Sequence, residues 1–429
     1  MQIVKGEEDV MNIAILGGGV VGGGVFEVIG NNARGIEKRA GKKIIVKKVV
    51  DIRDFNPNIY GDTLTKNADE VFADETIEIV AETIGGTGAA YAFTKRALLA
   101  KKHVVTSNKE LVATHGPELL KIAEDNGVHY LFEASVGGGI PIIRPLKQCL
   151  AANEILEIEG ILNGTTNYIL TMMKKEGKDF QAALKDAQEK GYAEQNPTAD
   201  IEGHDACRKL AILMSIAFNQ FVDSANIYTE GITAVSTADM VYADAMDSVI
   251  KLVAKGEKAG GKLFARVSPL ILNKQHPLAA AEDVFNAIVI KGNAVGETMF
   301  YGRGAGKLPT ASAVVADIID IVRNLDRSRF MKGDGVWEIP AGNNVLPIGE
   351  AEVKMFIRIA INDKKESMNS IHKIFGDVGI ISVNDPVMSE NEAAFVTKVY
   401  TENEMEAFTE KISAAPGVKN VISKIRVEA

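Results

Sequence analysis

The chain has 429 residues, 46% hydrophobic and 24% charged, an ordinary globular composition long enough for two or three domains. Its net charge of −9 argues against nucleic acid as a partner, and no apolar run reaches membrane-spanning length. Two cysteines, Cys149 and Cys207, cannot build a disulfide framework; in apolar contexts they read as reduced, buried thiols, which suits the cytoplasm. No charged-plus-apolar signal peptide opens the chain. The polar stretch Met1–Val10 precedes a second methionine, Met11, and reads as an upstream start or a leader, so the fold is read from Met11 onward.

Asn12–Leu16 is a short apolar run followed at once by Gly17-Gly18-Gly19-Val20-Val21-Gly22. A buried strand, a tight glycine turn and a helix are predicted, the context the dinucleotide fingerprint requires. Glycines at 17, 19 and 22 let the backbone approach a pyrophosphate, and Val20 and Val21 open a helix whose N–H groups face it. Ile44–Asp54 is the next strand. Asp51 near its end suits a ribose 2′-hydroxyl and NAD; Arg53 suits a 2′-phosphate and NADP, and the residues alone leave both open. Strands are predicted at Ile77–Ala81, His103–Thr106 and Val128–Phe132, with helices at Ala89–Ala100 and through Glu124. This alternation predicts a parallel, doubly wound Rossmann-type α/β sheet. Its ligand edge then gathers Thr83 to Gly86, Ser107 to Lys109 and Glu133 to Ile140 at strand ends. Lys109 is there either a site lysine or a solvated charge, and Glu133–Ile140 is a glycine-rich hinge or a binding loop.

After Pro145 the pattern changes. Ile155–Leu162 alternates as a strand, and Asn163-Gly-Thr165-Thr-Asn167 opens a helix, Tyr168–Glu176, as a capped turn. Gly191–Leu213 then packs Glu194, Asp200, Glu202, Asp205, Arg208 and Lys209 into a loop that closes as an apolar helix. Asp205 and Lys209 are four apart and share a helix face. A lysine flanked by carboxylates there can hold a polar substrate and exchange a proton with it; alone it would read as an ordinary ion pair. Further strands are predicted near Phe264–Leu272 and Ala287–Lys291. Gly304-Ala-Gly306 starts a long apolar helix to about Arg323. The domain reading is 11–145 for dinucleotide binding with a return helix in 304–330, an α+β substrate and oligomerisation domain at 146–303, a Gly/Pro/Asn-rich linker at 331–350, and a C-terminal module at 351–429. That module reads as βαββαβ: a strand at Val353–Ile361, a helix at Ser367–Gly376, strands near Ile380–Val383 and Ala394–Thr401, a helix at Glu404–Ala414 and a strand at Val418–Val427.

The string G-Y-A-E-x-x-P-T-A-D-x-x-G-x-D-x-x-x-K-L-A-I-L at 191–213 closely resembles the substrate segment of the homoserine dehydrogenases, and the resemblance extends over about 11–429. It implies reversible, nicotinamide-dependent reduction of L-aspartate 4-semialdehyde to L-homoserine in the threonine and methionine branch of amino-acid biosynthesis, by a homodimer or homotetramer. Lys209 is then the proton donor, with Lys109 as helper or alternative acid. Glu194 holds the substrate ammonium, Asp200 and Asp205 position substrate and lysine, and Gly191, Asn163 and Thr165 line the pocket. Arg53-Asp54 matches the family's strand-end pair and favours NADP over NAD. Gly304, Thr83, Gly85, Ser107 and Lys109 meet the cofactor. The Glu133–Ile140 loop resembles the family's monovalent-cation loop, which implies Na⁺ or K⁺ held by Glu133 and the carbonyls of Val136, Gly138 and Ile140. The C-terminal module resembles a ferredoxin-like ACT domain, but Asn362-Asp-Lys-Lys-Glu-Ser367 stands where such domains usually carry Pro-Gly.

Overall fold

Strand β1 (Val10–Leu16) is fully buried from Ile13 to Leu16, as the apolar run requires for a strand covered on both faces. A computed structural model describes residues 10–259, 261–325, 335–383 and 390–428. They form two compact units. The first comprises the described parts of 1–154, 211–224 and 302–341; the second comprises those of 155–210, 225–301 and 342–429.

In the first unit β1 joins β2 (Lys43–Val50), β3 (Leu64–Thr65), β4 (Ile77–Glu82), β5 (His103–Thr106) and β6 (Tyr130–Leu131) in a parallel sheet of order β3-β2-β1-β4-β5-β6. This is a Rossmann order, with its switch point between β1 and β4. The sequence placed β5 to the residue and made β6 longer than it is. The predicted return helix is Lys307–Asn324. It packs against the glycine-rich helix Val20–Asn31, where a Cβ at Gly24 would lie 2.8 Å from the Lys307 carbonyl oxygen. Only glycine permits that approach.

The second unit is built on one mixed sheet. Its strands are β7 (Ile155–Ile161), β8 (Tyr228–Thr229), β9 (Ser248–Ala259), β10 (Lys262–Asn273), β11 (Phe285–Gly292), β12 (Gly296–Arg303), β13 (Glu352–Ile361), β14 (Glu392–Val396), β15 (Tyr400–Thr401) and β16 (Val418–Val427). The main path runs β12-β11-β7-β9-β10-β16-β13-β14. The C-terminal strands therefore continue the sheet of the second unit: β16 pairs in parallel with β10, and the Arg426 guanidinium meets Glu230 and Glu402.

The stretch read as a linker is also structured where it is described. Leu263 exchanges backbone hydrogen bonds with Asn344 and Leu346. In the first unit Trp337 is buried against Gly116, where a Cβ would lie 2.5 Å from the indole. Residues 331–334 lie outside the described residues. Strand β9 escaped the sequence reading because Lys251 and Lys255 interrupt its apolar run; both lysines are instead satisfied inside polar networks. Of the predicted strand at Ile380–Val383, Ile380 makes a single antiparallel bridge to Phe395. Cys207 is buried as expected, but Cys149 is exposed, because it ends a π-helical turn, Pro145–Cys149, that runs over the surface.

Candidate active site

The dinucleotide end is built by glycine. Gly17 takes φ +100°, and its backbone passes so close to Thr83 that a Cβ would lie 2.8 Å from the Thr83 carbonyl oxygen. A Cβ at Gly22 would lie 1.9 Å from the Gly17 carbonyl oxygen, so the helix can begin at Val20 only with glycine there. Thr83 serves the same turn: its hydroxyl donates to the carbonyls of Leu16 and Gly17 at 3.1 and 2.7 Å. Val20 is 69% exposed and Val21 half-buried, leaving the helix N-terminus open to an anion.

Asp51 and Arg53 act as one element. The buried Asp51 carboxylate accepts from the Gly18 N–H at 2.8 Å and from the Arg53 side chain at 2.9 and 2.6 Å. The guanidinium is thereby laid against Gly19, where a Cβ would lie 3.0 Å from Arg53 Nη2. The Arg53 hydrogen bond holds the Asp51 carboxyl down at about 2. A depressed folded-state pKa contributes stability above the ordinary value of 3.8, and that contribution disappears as pH falls toward 2. Between pH 5 and 2.5, wild-type stability in urea is expected to fall more steeply than that of Asp51→Asn. Parallel pH profiles would remove Asp51 as a source of acid sensitivity.

Beyond β4 and β5 the sequence reading missed two residues. Glu82, fully buried, accepts from the N–H groups of Ile84 and Gly85 and from the Thr106 hydroxyl. Burial pushes its carboxyl up. Asn108 caps the Lys109–Asn126 helix and donates to the Gly86 carbonyl at 2.7 Å. Together they fix the left-handed pair Gly85 and Gly86. Their signals were a carboxylate closing a buried strand at Glu82 and an N-cap asparagine two residues beyond another at Asn108. Ser107 N–H bonds the Glu82 carbonyl, and Lys109 is half-buried as the first residue of its helix.

At the Glu133–Ile140 loop the carboxylate is engaged by backbone. Glu133 accepts from three successive backbone N–H groups, Ile142, Ile143 and Arg144, at 2.7–2.8 Å. Asp317 accepts from the Glu133 N–H and pairs with Arg144; burial, with Glu133 beside it, pushes Asp317 up to about 7. Val136, Gly138 and Ile140 are buried, and among the described residues no backbone N–H donates to their carbonyls. Gly138 (φ +53°) crosses the buried Gly304 so closely that a Cβ would lie 2.4 Å from its carbonyl oxygen.

In the second unit the Asn163 turn and the 191–213 string meet. Asn163 caps the Gly164–Glu176 helix through its Oδ1, leaving its Nδ2 to donate to Asp200 and Asp205, both at 2.7 Å. Asp205 also receives the Lys209 ammonium at 2.7 Å, and the same ammonium donates to the Leu162 carbonyl at 2.7 Å. Asn163, Asp205 and Lys209 are all buried. Helical spacing predicted the Asp205–Lys209 pair; the part played by Asn163 came from its distant cap. Thr165 anchors the loop by donating to the Tyr192 carbonyl at 2.6 Å, next to Gly191 with φ +74°. The Glu194 side chain is exposed, and its described contact is through its carbonyl, which accepts from Gln188.

A dinucleotide turn on a Rossmann-type sheet, together with a buried lysine–carboxylate site in a second unit, marks a nicotinamide-dependent oxidoreductase. Residues 17–133 match the homoserine dehydrogenase NAD-binding domain, and residues 141–319 match the homoserine dehydrogenase family. The chain is 35% identical to the homoserine dehydrogenase of Bacillus subtilis, over 97% of this chain and 98% of that one. It is 38% identical to that of Synechocystis, over 97% and 99%. The crystal structure of a homoserine dehydrogenase from Thiobacillus denitrificans superposes with a TM-score of 0.90 at 36% identity, covering 98% of each chain. A hyperthermophilic archaeal homoserine dehydrogenase mutant in complex with NADPH superposes at 0.62 with 31% identity, over 72% of this chain and 97% of that one. The chain belongs to the homoserine dehydrogenase family and is an NAD(P)-dependent oxidoreductase. Among the described residues no helix is long and apolar enough to cross a membrane.

Proposed function

We propose that the chain interconverts L-aspartate 4-semialdehyde and L-homoserine with NADP preferred, and that Lys209 is its acid–base group. The observation that carries this reading is the buried Lys209–Asp205–Asn163–Asp200 network. A bound nicotinamide supplies the hydride that reaches the aldehyde carbon. Lys209 then donates a proton to the oxygen as charge develops on it. Asp205 and the Leu162 carbonyl hold the ammonium in place for that step. Lys109, at a helix N-terminus on the ligand edge, is the helper or alternative acid. Asp200 and Glu194, with Gly191 and Thr165 shaping the loop, hold the substrate ammonium. At the dinucleotide end Thr83, Gly85, Ser107 and Gly304 line the cofactor. Arg53 favours NADP, because its partner Asp51 is already committed to Arg53 and Gly18. The test is oxidation of NADPH and of NADH with aspartate semialdehyde; no turnover with either cofactor sinks the assignment.

The loop from Glu133 fits a monovalent cation, Na⁺ or K⁺. Buried carbonyls at Val136, Gly138 and Ile140 are hard oxygen donors, and the Glu133 carboxylate, although engaged by three amides, brings the charge. Such an ion would stiffen the turn against Gly304. In this proposal the enzyme works in the cytoplasm as a homodimer or homotetramer and serves threonine and methionine biosynthesis.

An ACT-like module is supported by the order β16-β13-β14 and by the Ile380 bridge to Phe395. Its effector loop is closed. Asp363 caps the Lys364–Phe375 helix, and the Gly417 carbonyl accepts from the N–H groups of Asn362 and Asp363. A Cβ at Gly417 would lie 2.3 Å from the Ser367 nitrogen, so the Gly417 backbone packs directly against the 362–367 loop. L-Threonine is therefore expected to leave the initial rate nearly unchanged at millimolar concentration. Strong threonine inhibition would refute a closed loop.

A further inference from the structure

Lys251 stands in the middle of β9, is only 4% exposed, and has no place in the chemistry described above. Its ammonium donates to Asn167 Oδ1 at 3.1 Å and to the Ala281 carbonyl at 2.5 Å. Among the described residues no carboxylate lies within ion-pair distance of it; the nearby Glu282 is paired with Lys175. A charge buried against neutral oxygens is expensive, and desolvation pulls this ammonium down to about 8. An apolar side chain of similar length would satisfy a sheet core at less cost.

What the ammonium holds is the base of the candidate catalytic site. Asn167 lies one turn along the helix from Asn163. Its N–H donates to the Asn163 carbonyl at 3.3 Å, and its Nδ2 donates to the carbonyls of Ala281 and Phe285 at 3.2 and 3.1 Å. Its own carbonyl accepts from Thr171, whose hydroxyl accepts from the Asp283 N–H. With Oδ1 taken by Lys251, the Asn167 amide cannot flip without placing its two donors against the ammonium. The first turn of the helix is thus fixed to the 281–285 segment on one side, while Asn163 faces Asp200 and Asp205 on the other.

We propose that Lys251 is a positioning residue for the reaction: through Asn167 it fixes the helix turn that aims the Asn163 amide at Asp200 and Asp205, and so sets where Lys209 stands. This inference rests on the reading of Lys209 as the acid. The chain of contacts runs Lys251, Asn167, Asn163, Asp205, Lys209, each link a hydrogen bond of 2.7 to 3.3 Å. Small displacements of a catalytic group are costly, on the order of a hundredfold for ~1 Å, so a partly loosened turn should cost about tenfold.

The test compares the wild type with Lys251→Met and Lys251→Gln in the full-length protein, with NADPH and aspartate semialdehyde as substrates. Lys251→Met should lower kcat about tenfold while leaving the KM for NADPH unchanged, and Lys251→Gln, which keeps a donor, should recover part of the loss. Combining Lys251→Met with Asn163→Ala should be no slower than Asn163→Ala alone, because both act through one amide. A lowered Tm with unchanged kcat, or multiplicative losses in the double variant, overturns the inference. If Lys251→Met does not fold, unchanged kcat in Lys251→Gln overturns it equally. Absence of turnover in the wild type would instead sink the assigned reaction.

Discussion

Lys209→Met is expected to lower kcat at least about a hundredfold, since general acid catalysis contributes on the order of 10²–10⁴. Methionine keeps the unbranched stem that runs through the buried site and removes only the ammonium. The loss should appear equally in kcat and in kcat/KM for the aldehyde, the mark of an interaction made in the transition state, with the KM for NADPH unchanged. Removing one partner of a buried pair also strands the other. Asp205 would keep Asn163 but lose its counter-charge, so thermal unfolding must be followed in parallel. Asp205→Asn in the same background relieves the stranded charge; a Tm restored by it while kcat stays low separates chemistry from folding. Near-normal turnover in a folded Lys209→Met protein would rule the lysine out as the acid and move attention to Lys109.

Arg53→Ala should raise the KM for NADPH roughly thirtyfold, the size of a lost charge-assisted contact of about 2 kcal/mol, and spare NADH. The asymmetry follows from geometry. Asp51 is tied up by the very guanidinium that is removed, with contacts at 2.9 and 2.6 Å. Once released, its carboxylate is free to accept from an unphosphorylated ribose, so NADH use should hold or improve. Steady-state kinetics with both cofactors decide the matter. Equal losses for the two would make Arg53 a structural brace for the Gly18–Gly19 turn and leave cofactor choice elsewhere.

Local chemistry made several parts of this protein legible in advance. The strand–glycine–helix opening could be read because left-handed and close-packed backbone at Gly17 and Gly22 excludes other residues. The Asp205–Lys209 pair could be read because helical geometry alone brings positions four apart together. Strand β5 and strand β16 match their expected bounds to the residue: Ser107-Asn108 follows the apolar run of β5, and Pro416-Gly417 precedes β16.

Tertiary structure decided what depends on residues far apart in the chain. Asn163 reads locally as a cap, and only the fold brings Asp200 and Asp205, some forty positions on, within reach of its second amide hydrogen. The resemblance implies that Glu133 holds an ion, and only the return of the chain at Ile142–Arg144 brings three backbone N–H groups to its carboxylate. Lys251 interrupts an apolar strand and hides it from any pattern of alternation, because the oxygens that make its burial tolerable come from Asn167 and Ala281. By itself the sequence determined the kinds of local structure and the chemical groups available to this enzyme. Which polar groups satisfy one another inside it was decided by long-range packing, since a buried donor must be met by an acceptor wherever in the chain that acceptor lies.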